Sequence, residues 1–369
     1  MRILYGVMGY GRGHATRVAA VLPELLKDHE IHVVGGIDAY EYLSKQFDNG
    51  EQIPTIGYAY GEDGRISVRN TMLRNAAPMT DLLLGKGPGS RRMDEIIGDW
   101  RPDVIISDSE GWTHRAARRW GIPRISFDHV GVMAYCRPPL PAPDWWLGHR
   151  DALGYRMLMG WPDRVLVSSF YPALPRGPEV EVIGPLLRDP VYAAKPKQGD
   201  YLMAYFNKGL HQYNDRIEAE LSSLPFPVRV YGTGREGSRG SIEYFPPSVE
   251  GFINDLAGSR AVLTTSGHQL LSESIHFGKP VYTLPEDCFE QRLNAYMVQR
   301  MGIGVKDDFD TLSAGRIEEF LENSDVYAKR AKAVHTDGRT EALSSLKRYL
   351  GEFETAGAAA FTATRLSRS

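Results

Sequence analysis

Short apolar runs alternate with longer amphipathic segments along the first half of the chain. The apolar runs are ILYGVMG, IHVVGG, DVIISDSE, RISFDHV and RVLVSSF. The first amphipathic segment places its apolar residues on one helix face, at Ala15, Val18, Ala19, Leu22, Leu25 and Leu26. Continuous apolar strands separated by amphipathic helices are typical of a parallel sheet that is covered on both faces. The pattern therefore predicts a doubly wound α/β domain that opens with a Rossmann-like unit.

The alternation stops near residue 185 and restarts near residue 199. The stretch PLLRDPVYAAKPKQGD between these points combines prolines and charges with little apolar periodicity, so we expect an interdomain linker at 186–198. The apolar runs YLMAYF, VRVYG, AVLTT and PVYTLP then follow. We therefore predict a first domain at 1–185, a second doubly wound domain at 199–355, and a disordered tail at 356–369.

Composition narrows the possible partners and the cellular location. A formal net charge of -3 gives the chain no general attraction to nucleic acid. Cys136 and Cys288 lie far apart and form no zinc-binding motif or disulfide framework, so we expect a cytoplasmic protein. No run of uncharged apolar residues is long enough to span a membrane. The basic residues within 61–92 indicate either an ordinary solvated surface or a patch that contacts an acceptor or a membrane surface.

Candidate catalytic residues follow the predicted strands of the first domain. In the loop GYGRGH, Gly11 and Gly13 allow the backbone to approach a flat or anionic group. His14 follows them as either a general base or a helix-start residue that binds backbone or phosphate. Asp108 follows the run VIIS, where it orients His14, acts as the base itself or caps the next helix. The sequence leaves these roles open.

Other loops supply candidate residues for substrate binding. Asp128 and His129 follow the run RISF, and the roles open to Asp108 are open to them as well: orienting His14, acting as the base or capping a helix. We expect one of these groups to meet an acceptor. Asn207 follows YLMAYF and is expected to contact the donor. Trp145 and Trp146 follow a proline-rich run and form either an acceptor platform or part of the core or a lid.

The segment from 264 to 295 carries the most specific pattern. A predicted helix follows the apolar run AVLTT, and its first residues are Ser266, Gly267, His268 and Gln269. Free N–H groups and the positive dipole end of such a helix favour a diphosphate. Glu273 lies about one and a half turns into the same helix, where its carboxylate suits the hydroxyls of a ribose.

A second acidic loop lies one strand further along the chain. Glu290 and Gln291 follow the run PVYTLP, and a carboxylate beside an amide suits the neighbouring hydroxyls of a sugar. Asn294 stands about one helical turn further on. Sites for a diphosphate, a ribose and a sugar together indicate a nucleotide-sugar donor.

This ordered pattern resembles the donor-binding motif of the inverting GT-B glycosyltransferases, which include the UDP-glycosyltransferases and the MurG-like enzymes. The matching residues are Ser266-Gly267-His268, Glu273-Ser274, Gly278-Lys279-Pro280, Glu290-Gln291 and Asn294-Ala295. The GYGRGH loop and the stretch from PDVIISDSE to GIPRISFDHV are similar to the acceptor domain of the same group. The resemblance implies two Rossmann-like domains facing a central cleft, with the acceptor bound by the first and a nucleotide sugar, a UDP-sugar in preference, by the second.

The resemblance also implies a reaction: base-assisted transfer of the sugar to an acceptor hydroxyl with inversion and without a metal or cofactor. Retaining relatives commonly carry two glutamates eight positions apart, whereas Thr265 stands eight positions before Glu273 here. This difference favours inversion. Two other functions stay open: a sugar-nucleotide 2-epimerase of the same architecture, and a non-catalytic nucleotide-sugar-binding partner of another transferase. The acceptor, whether a small molecule or a glycan or lipid-linked one, and the oligomeric state are not predicted.

Overall fold

The computed structural model of the chain describes residues 1–62, 65–206 and 209–366. The strands of the first domain are β1 (Arg2–Val7), β2 (Glu30–Gly35), β3 (Gly50–Gln52), β4 (Val104–Asp108), β5 (Arg124–Asp128), β6 (Cys136–Arg137), β7 (Arg164–Ser168), β8 (Leu174–Pro175) and β9 (Val180–Ile183). Seven of them form one sheet in the order β3-β2-β1-β4-β5-β7-β9, and its neighbouring strands pair in parallel. The short strands β6 and β8 pair separately and antiparallel.

Helices cover both faces of this sheet. They are α1 (Arg12–Leu25), α2 (Ile37–Leu43), α3 (Val68–Leu84), α4 (Pro88–Trp100), α5 (Gly111–Trp120), α6 (Gly131–Tyr135) and α7 (Trp145–Met159), with a 3-10 turn at Ala142–Asp144. The predicted face of α1 packs into a core with the side chains of β1 and β4, except for Leu26, which follows the end of α1 and is 42% exposed. In the parallel register Val7 lies beside Asp108, so the β1–α1 loop and the end of β4 are neighbours.

The second domain repeats the doubly wound pattern. Its strands are β10 (Leu202–Tyr205), β11 (Val228–Tyr231), β12 (Gly237–Arg239), β13 (Ile242–Phe245), β14 (Ala261–Thr264), β15 (Val281–Thr283) and β16 (Gly304–Lys306). They form a sheet in the order β12-β13-β11-β10-β14-β15-β16, in which only β12 is antiparallel to its neighbour among the described residues. The strands that the apolar runs predict are therefore present in both halves of the chain.

The remaining helices belong to the linker, the second domain and the end of the chain. They are α8 (Asp189–Ala193), α9 (Asp215–Ser222), α10 (Val249–Gly258), α11 (His268–His276), α12 (Phe289–Met301), α13 (Ala314–Glu322), α14 (Ser324–Ala331) and α15 (Gly338–Leu366), with a 3-10 turn at Gly209–His211. The predicted linker is not an extended, solvent-exposed segment. It contains α8, and its residues Leu187 and Val191 are buried against the second domain.

The last helix differs from the sequence prediction in two respects. The predicted boundary at 355 places α15 with the second domain, but its buried residues Leu346, Tyr349 and Leu350 belong to the core of the first domain. Helix α15 also continues to Leu366, so most of the predicted disordered tail is helical, while 367–369 lie outside the described residues. Neither feature has a signal in the local sequence, because the packing partner of α15 is more than 150 residues away.

Candidate active site

The loop between β1 and α1 brings backbone and side chains to the cleft at the carboxyl end of the first sheet. Gly11 has a φ of 83°, which a side chain would strain, and its N–H donates to Asp38 Oδ2 at 2.7 Å. Gly9 packs directly on Gly36, since a Cβ on Gly9 would lie 2.2 Å from the Gly36 Cα. These two glycines fix the path of the loop that delivers His14.

His14 and Asp108 are brought together, although 94 residues separate them in sequence. The Nδ1 of His14 lies 2.6 Å from Asp108 Oδ1, and the His14 side chain keeps 18% of its surface exposed. Arg17, one turn further along α1, donates to both Asp108 oxygens at 2.7 and 2.9 Å. Asp108 is completely buried between these two partners.

The charge of Asp108 determines which nitrogen of His14 carries a proton. Burial alone raises the pKa of Asp108, but the Arg17 guanidinium and His14 outweigh it and hold this pKa below its ordinary value. Asp108 is therefore a carboxylate at neutral pH, and it accepts the hydrogen of His14 Nδ1. The lone pair of a neutral His14 is then on Nε2.

Asp108 is not the cap of the helix that follows β4. Glu110 has that role, because its carboxylate accepts hydrogen bonds from the N–H groups of Trp112 and Thr113 at 2.9 and 2.7 Å. Of the roles that the sequence leaves open for Asp108, helix capping is therefore ruled out.

The start of α11 lies directly across the cleft from this loop. Its N-cap residue, Gly267, offers no side chain to the free N–H groups, and Ser266 before it has a φ of 63°. A Cβ on Gly13 would lie 3.6 Å from the Cβ of Gln269, so the first turns of α1 and α11 are in contact. The uncapped end of α11 therefore opens beside His14.

Glu273 already has a cationic partner that the sequence does not suggest. Arg188, from the predicted linker, binds both of its carboxylate oxygens at 2.8 and 3.0 Å, and the carboxylate is almost completely buried. Gln269 donates to the same carboxylate at 3.0 Å and to the Leu186 carbonyl at 3.2 Å. These contacts tie the linker to the first turns of α11.

Glu290 and Asn294 lie together at the wall of the cleft. Asn294 donates to Glu290 Oε1 at 2.8 Å and to the Ser266 carbonyl at 3.2 Å, which joins α12 to the loop before α11. A quarter of the Glu290 side chain is exposed, and among the described residues its Oε2 accepts no hydrogen bond. Burial raises the pKa of Glu290, whereas the nearby His14 lowers it.

The Gln291 side chain is buried and bonded to its own loop. Its amide accepts a hydrogen bond from the Glu286 N–H at 3.0 Å and donates to the Glu286 carboxylate at 2.9 Å. Tyr60 from the first domain donates to the other oxygen of Glu286 at 3.1 Å, and the hydroxyl groups of Tyr60 and Tyr10 are 2.7 Å apart. In this conformation Gln291 shapes the loop, and its amide is not open to a sugar.

His129 and His268 form a buried contact between the two domains. Their rings stack with centroids 3.6 Å apart, and His129 Nε2 lies 3.0 Å from Asn294 Oδ1 while its Nδ1 lies 2.8 Å from the Ser168 carbonyl. Burial lowers the pKa of His129 to about 4 and that of His268 well below its ordinary value. Both rings are therefore neutral at physiological pH, and neither is open to solvent.

Asp128 is enclosed by the first domain, contrary to the expected contact with an acceptor. One oxygen accepts the Gly131 N–H at 2.5 Å, and the other accepts the hydroxyls of Ser126 and Tyr155, each at 2.9 Å. All these partners belong to β5, α6 and α7, so the carboxylate joins these elements. Asn207, which the sequence predicts to contact the donor, lies outside the described residues.

The exposed tryptophans and the basic segment lie on the surface of the first domain. Trp145 and Trp146 are 54% and 73% exposed, which rules out a core role and leaves a platform or a lid. Within 61–92, Arg65 reaches the second domain and forms an ion pair with Asp310 at 2.5 Å. Helix α3 of this segment exposes apolar side chains at Val68, Met72, Leu73, Leu83 and Leu84.

Sequence reasoning missed three residues that hold the site together. Arg17 was detectable in principle, because it stands one helical turn after His14 on α1. Arg188 and Tyr60 had no comparable signal, because each meets its partner only after the two domains come together. The structure also gives the described residues no group of three His, Cys, Asp or Glu side chains placed to hold a metal ion.

The chain is similar to known glycosyltransferases over most of its length. The sequence model described as glycosyl transferase family 1 matches residues 1–324. An uncharacterized glycosyltransferase of Methanosarcina acetivorans is 24% identical over 385 residues, which cover 95% of this chain and 96% of that protein. Among the described residues no helix is long and apolar enough to cross a membrane.

Solved structures of similar fold support the two-domain architecture. The glycotransferase of kitacinnamycin matches with a TM-score of 0.65 and 18% identity over 94% of this chain and 98% of its own. MurG of Acinetobacter baumannii matches with a TM-score of 0.58 and 12% identity over 94% of this chain and 99% of its own. The predicted GT-B fold is confirmed.

Proposed function

The chain belongs to glycosyl transferase family 1 and is a glycosyltransferase, and from this premise we propose that it moves a sugar from a nucleotide-sugar donor to an acceptor hydroxyl with inversion. One observation carries the proposal. His14, bonded to the buried Asp108, stands beside the uncapped start of α11, so a candidate base and a candidate diphosphate site share one cleft.

In the proposed reaction His14 is the general base. Its Nε2 takes the proton of the acceptor hydroxyl as the hydroxyl oxygen attacks the anomeric carbon of the donor. The bond between that carbon and the diphosphate oxygen breaks, and its electron pair leaves with the diphosphate. Asp108 holds the His14 ring through Nδ1 and stabilises the imidazolium that forms, while Arg17 holds Asp108 in place.

The donor is proposed to lie along the start of α11. The first N–H groups of α11, from His268 onward, are proposed to face the diphosphate, and the free oxygen of Glu290 is proposed to face the sugar. A ribose would meet Glu273 only in competition with Arg188, which occupies both of its oxygens. A UDP-sugar stays the preferred donor because of the family resemblance.

A thermal-shift panel of UDP, GDP and TDP tests the donor site. A ligand that binds only the folded chain stabilises it by about 2.7 kcal/mol at a hundredfold excess over Kd, which raises the melting temperature by a few degrees. No response to any of the three would remove the donor-site proposal. Turnover of a nucleotide sugar that survives EDTA treatment supports the metal-independent reaction, whereas loss restored by Mg²⁺ contradicts it.

The acceptor side of the first domain is proposed to contact an anionic membrane surface through α3. This helix exposes Met72 and Leu73, 66% and 68% accessible, beside the exposed Arg69 and Arg74. Vesicles of phosphatidylglycerol are expected to sediment the wild-type protein, and a variant with Met72→Glu and Leu73→Glu should stay in solution. Equal behaviour of both proteins would contradict this contact.

A further inference from the structure

A cavity of about 360 Å³ lies beside the short strands β6 and β8, between helix α7 and the first residue of α12. Most of its wall comes from the first domain, and the second domain contributes Phe289, the neighbour of Glu290 in sequence. Helix α7 packs closely on this ring, since a Cβ on Gly148 would lie 2.7 Å from Phe289 Cζ. Among the described residues, neither His14 nor any residue of α11 lines the cavity. It is therefore distinct from the proposed diphosphate site, yet it lies against the helix that carries Glu290.

Three arginines from different parts of the first domain line this cavity: Arg137 on β6, Arg156 on α7 and Arg176 directly after β8. Arg156 donates to the Ala134 carbonyl at 2.9 Å, and Arg176 donates to the Cys136 carbonyl at 2.7 Å. Within the described part of the chain no carboxylate pairs with any of the three, and no hydrogen bond engages the Arg137 guanidinium. The positive charge around the cavity is therefore not balanced by the protein.

The three guanidinium groups are close enough to act on one another. Partial burial lowers the pKa of Arg176, and the positive charges of Arg156 and Arg137 lower it further. Like charges held together in this way repel one another, and a bound anion would relieve that repulsion. The cluster therefore favours a ligand with a negatively charged group.

The rest of the cavity lining is mainly apolar and includes Met133, Leu140, Trp145 and Phe289. Trp145 is 54% exposed although it lines the cavity, whereas its neighbour Trp146, 73% exposed, does not line it. A half-exposed indole beside unpaired arginines offers apolar surface to a ligand that the arginines hold by its charge. The lining thus suits a molecule with one anionic end and an apolar body.

We propose that this cavity holds the acceptor by an acidic group, a carboxylate or a phosphate, joined to an apolar body. This inference rests on the proposed function, for which it names the class of acceptor. A guanidinium binds either acid through two parallel N–H donors. Trp145, for which the sequence leaves a platform or a lid open, is then the platform under the apolar body, and Trp146 has no part in it.

Calorimetric titration without any nucleotide sugar tests the cavity itself. The probes are octyl phosphate and octanoate, which have an acid on an apolar chain, together with octanol, which lacks the acid, and inorganic phosphate, which lacks the chain. Wild type should bind at least one of the two octyl acids about 10-fold or more tightly than it binds octanol or inorganic phosphate. The tighter of the two octyl acids identifies the preferred acidic group.

Two matched pairs of variants assign this binding to the cavity. Arg137→Gln should weaken the tighter octyl acid about 10-fold, because a charged hydrogen-bond partner is lost, and Arg118→Gln on the exposed face of α5 should match wild type. Trp145→Ala should weaken the same acid by a similar factor, and Trp146→Ala should match wild type. Because all four side chains are exposed, an unchanged melting temperature is expected for each variant.

Inhibition kinetics connect the cavity with the acceptor. With a nucleotide sugar and an acceptor that wild type turns over, the tighter octyl acid should compete with the acceptor and not with the nucleotide sugar. Its inhibition constant should rise about 10-fold in Arg137→Gln. Competition with the nucleotide sugar instead, or no inhibition, would overturn the role of the cavity in acceptor binding.

The outcomes separate this inference from the proposed function. If wild type bound neither octyl acid, or if Arg137→Gln bound the tighter one as well as wild type, the inference would be overturned while the proposed glycosyl transfer stood. If no nucleotide sugar were turned over with any acceptor, the proposed function would fail, and the acceptor role of the cavity would fail with it.

Discussion

At the scale of single residues, the central feature is the contact between His14 and the carboxylate of Asp108, which stays charged although it is buried. Arg17 keeps Asp108 ionised, and Asp108 in turn fixes the hydrogen on Nδ1 of His14. The only part of this group that meets the cleft is the histidine ring. His14 is therefore the side chain whose replacement tests the proposed catalysis most directly.

Replacing His14 by alanine is expected to lower kcat at least about 100-fold, because the acceptor hydroxyl loses its general base. Affinity for the nucleoside diphosphate should stay nearly unchanged, because the proposed diphosphate site is formed by α11. Steady-state kinetics and calorimetry measure the two quantities, with His335→Ala on the exposed surface as the matched control. Near-normal turnover would return His14 to a helix-start role.

Glu290→Ala separates sugar recognition from diphosphate recognition. If the free oxygen of Glu290 accepts a sugar hydroxyl, its loss leaves that hydroxyl unpaired, at a cost of about 1 to 3 kcal/mol. The intact nucleotide sugar should then bind about 10-fold more weakly, while the nucleoside diphosphate binds as before. Titration of both ligands into both proteins decides the point, and equal weakening of the two would contradict a sugar contact.

His114 gives the folded state a pH dependence that is independent of catalysis. It is completely buried on α5, its ring nitrogens have no hydrogen-bond partner among the described residues, and burial followed by the charges of Arg124 and Arg115 lowers its pKa to about 3. The unfolded chain takes up a proton near pH 6.5, whereas the folded chain does not. Stability is therefore present above that pH and is lost as the pH falls from about 6.5 toward 3.

At pH 5 this difference amounts to about 2 kcal/mol for one histidine. His114→Leu should remove that part of the loss, so the drop in unfolding free energy between pH 7 and pH 5 should be smaller by about the same amount. Urea denaturation of both proteins at the two pH values measures it. An equal drop in unfolding free energy between pH 7 and pH 5 in wild type and variant would contradict this role of His114.

At the scale of elements, local pattern predicted the strands and helices but not their long-range partners. The runs ILYGVMG and AVLTT became central strands, because continuous apolar sequence is what a sheet covered on both faces requires. The position of His14 beside Asp108 follows from the same reasoning, since adjacent parallel strands end at one edge. The pairing of Arg188 with Glu273 and the packing of α15 on the first domain join distant segments, and no periodicity reports such contacts.

The ion pair between Arg188 and Glu273 connects the linker to helix α11. Arg188→Met leaves a buried carboxylate without its cation and should lower the free energy of unfolding by about 3 kcal/mol. Adding Glu273→Leu removes the unpaired carboxylate, so the double variant should recover much of the lost unfolding free energy. Denaturant titration of the two single variants and the double variant gives the coupling. Strictly additive losses would contradict a paired role.

At the scale of the whole molecule, contacts from several elements hold the two domains around one cleft. Tyr60 bonds to Glu286, Arg65 pairs with Asp310, and His129 stacks on His268. Helix α15 then returns from the second domain to the core of the first. Candidate base and candidate donor site are thus placed together only in the assembled chain, which is why each half alone is insufficient for the proposed reaction.

The most direct test of glycosyl transfer is the release of nucleoside diphosphate from a panel of nucleotide sugars, with and without a panel of hydroxyl acceptors, by wild type and His14→Ala. The proposed function predicts release that depends on an acceptor, a product of inverted anomeric configuration, and loss of release in the variant. Conversion of the donor without any acceptor would instead indicate an epimerase. Binding of a nucleotide sugar without turnover across the acceptor panel, or equal release by both proteins, would contradict the catalytic account.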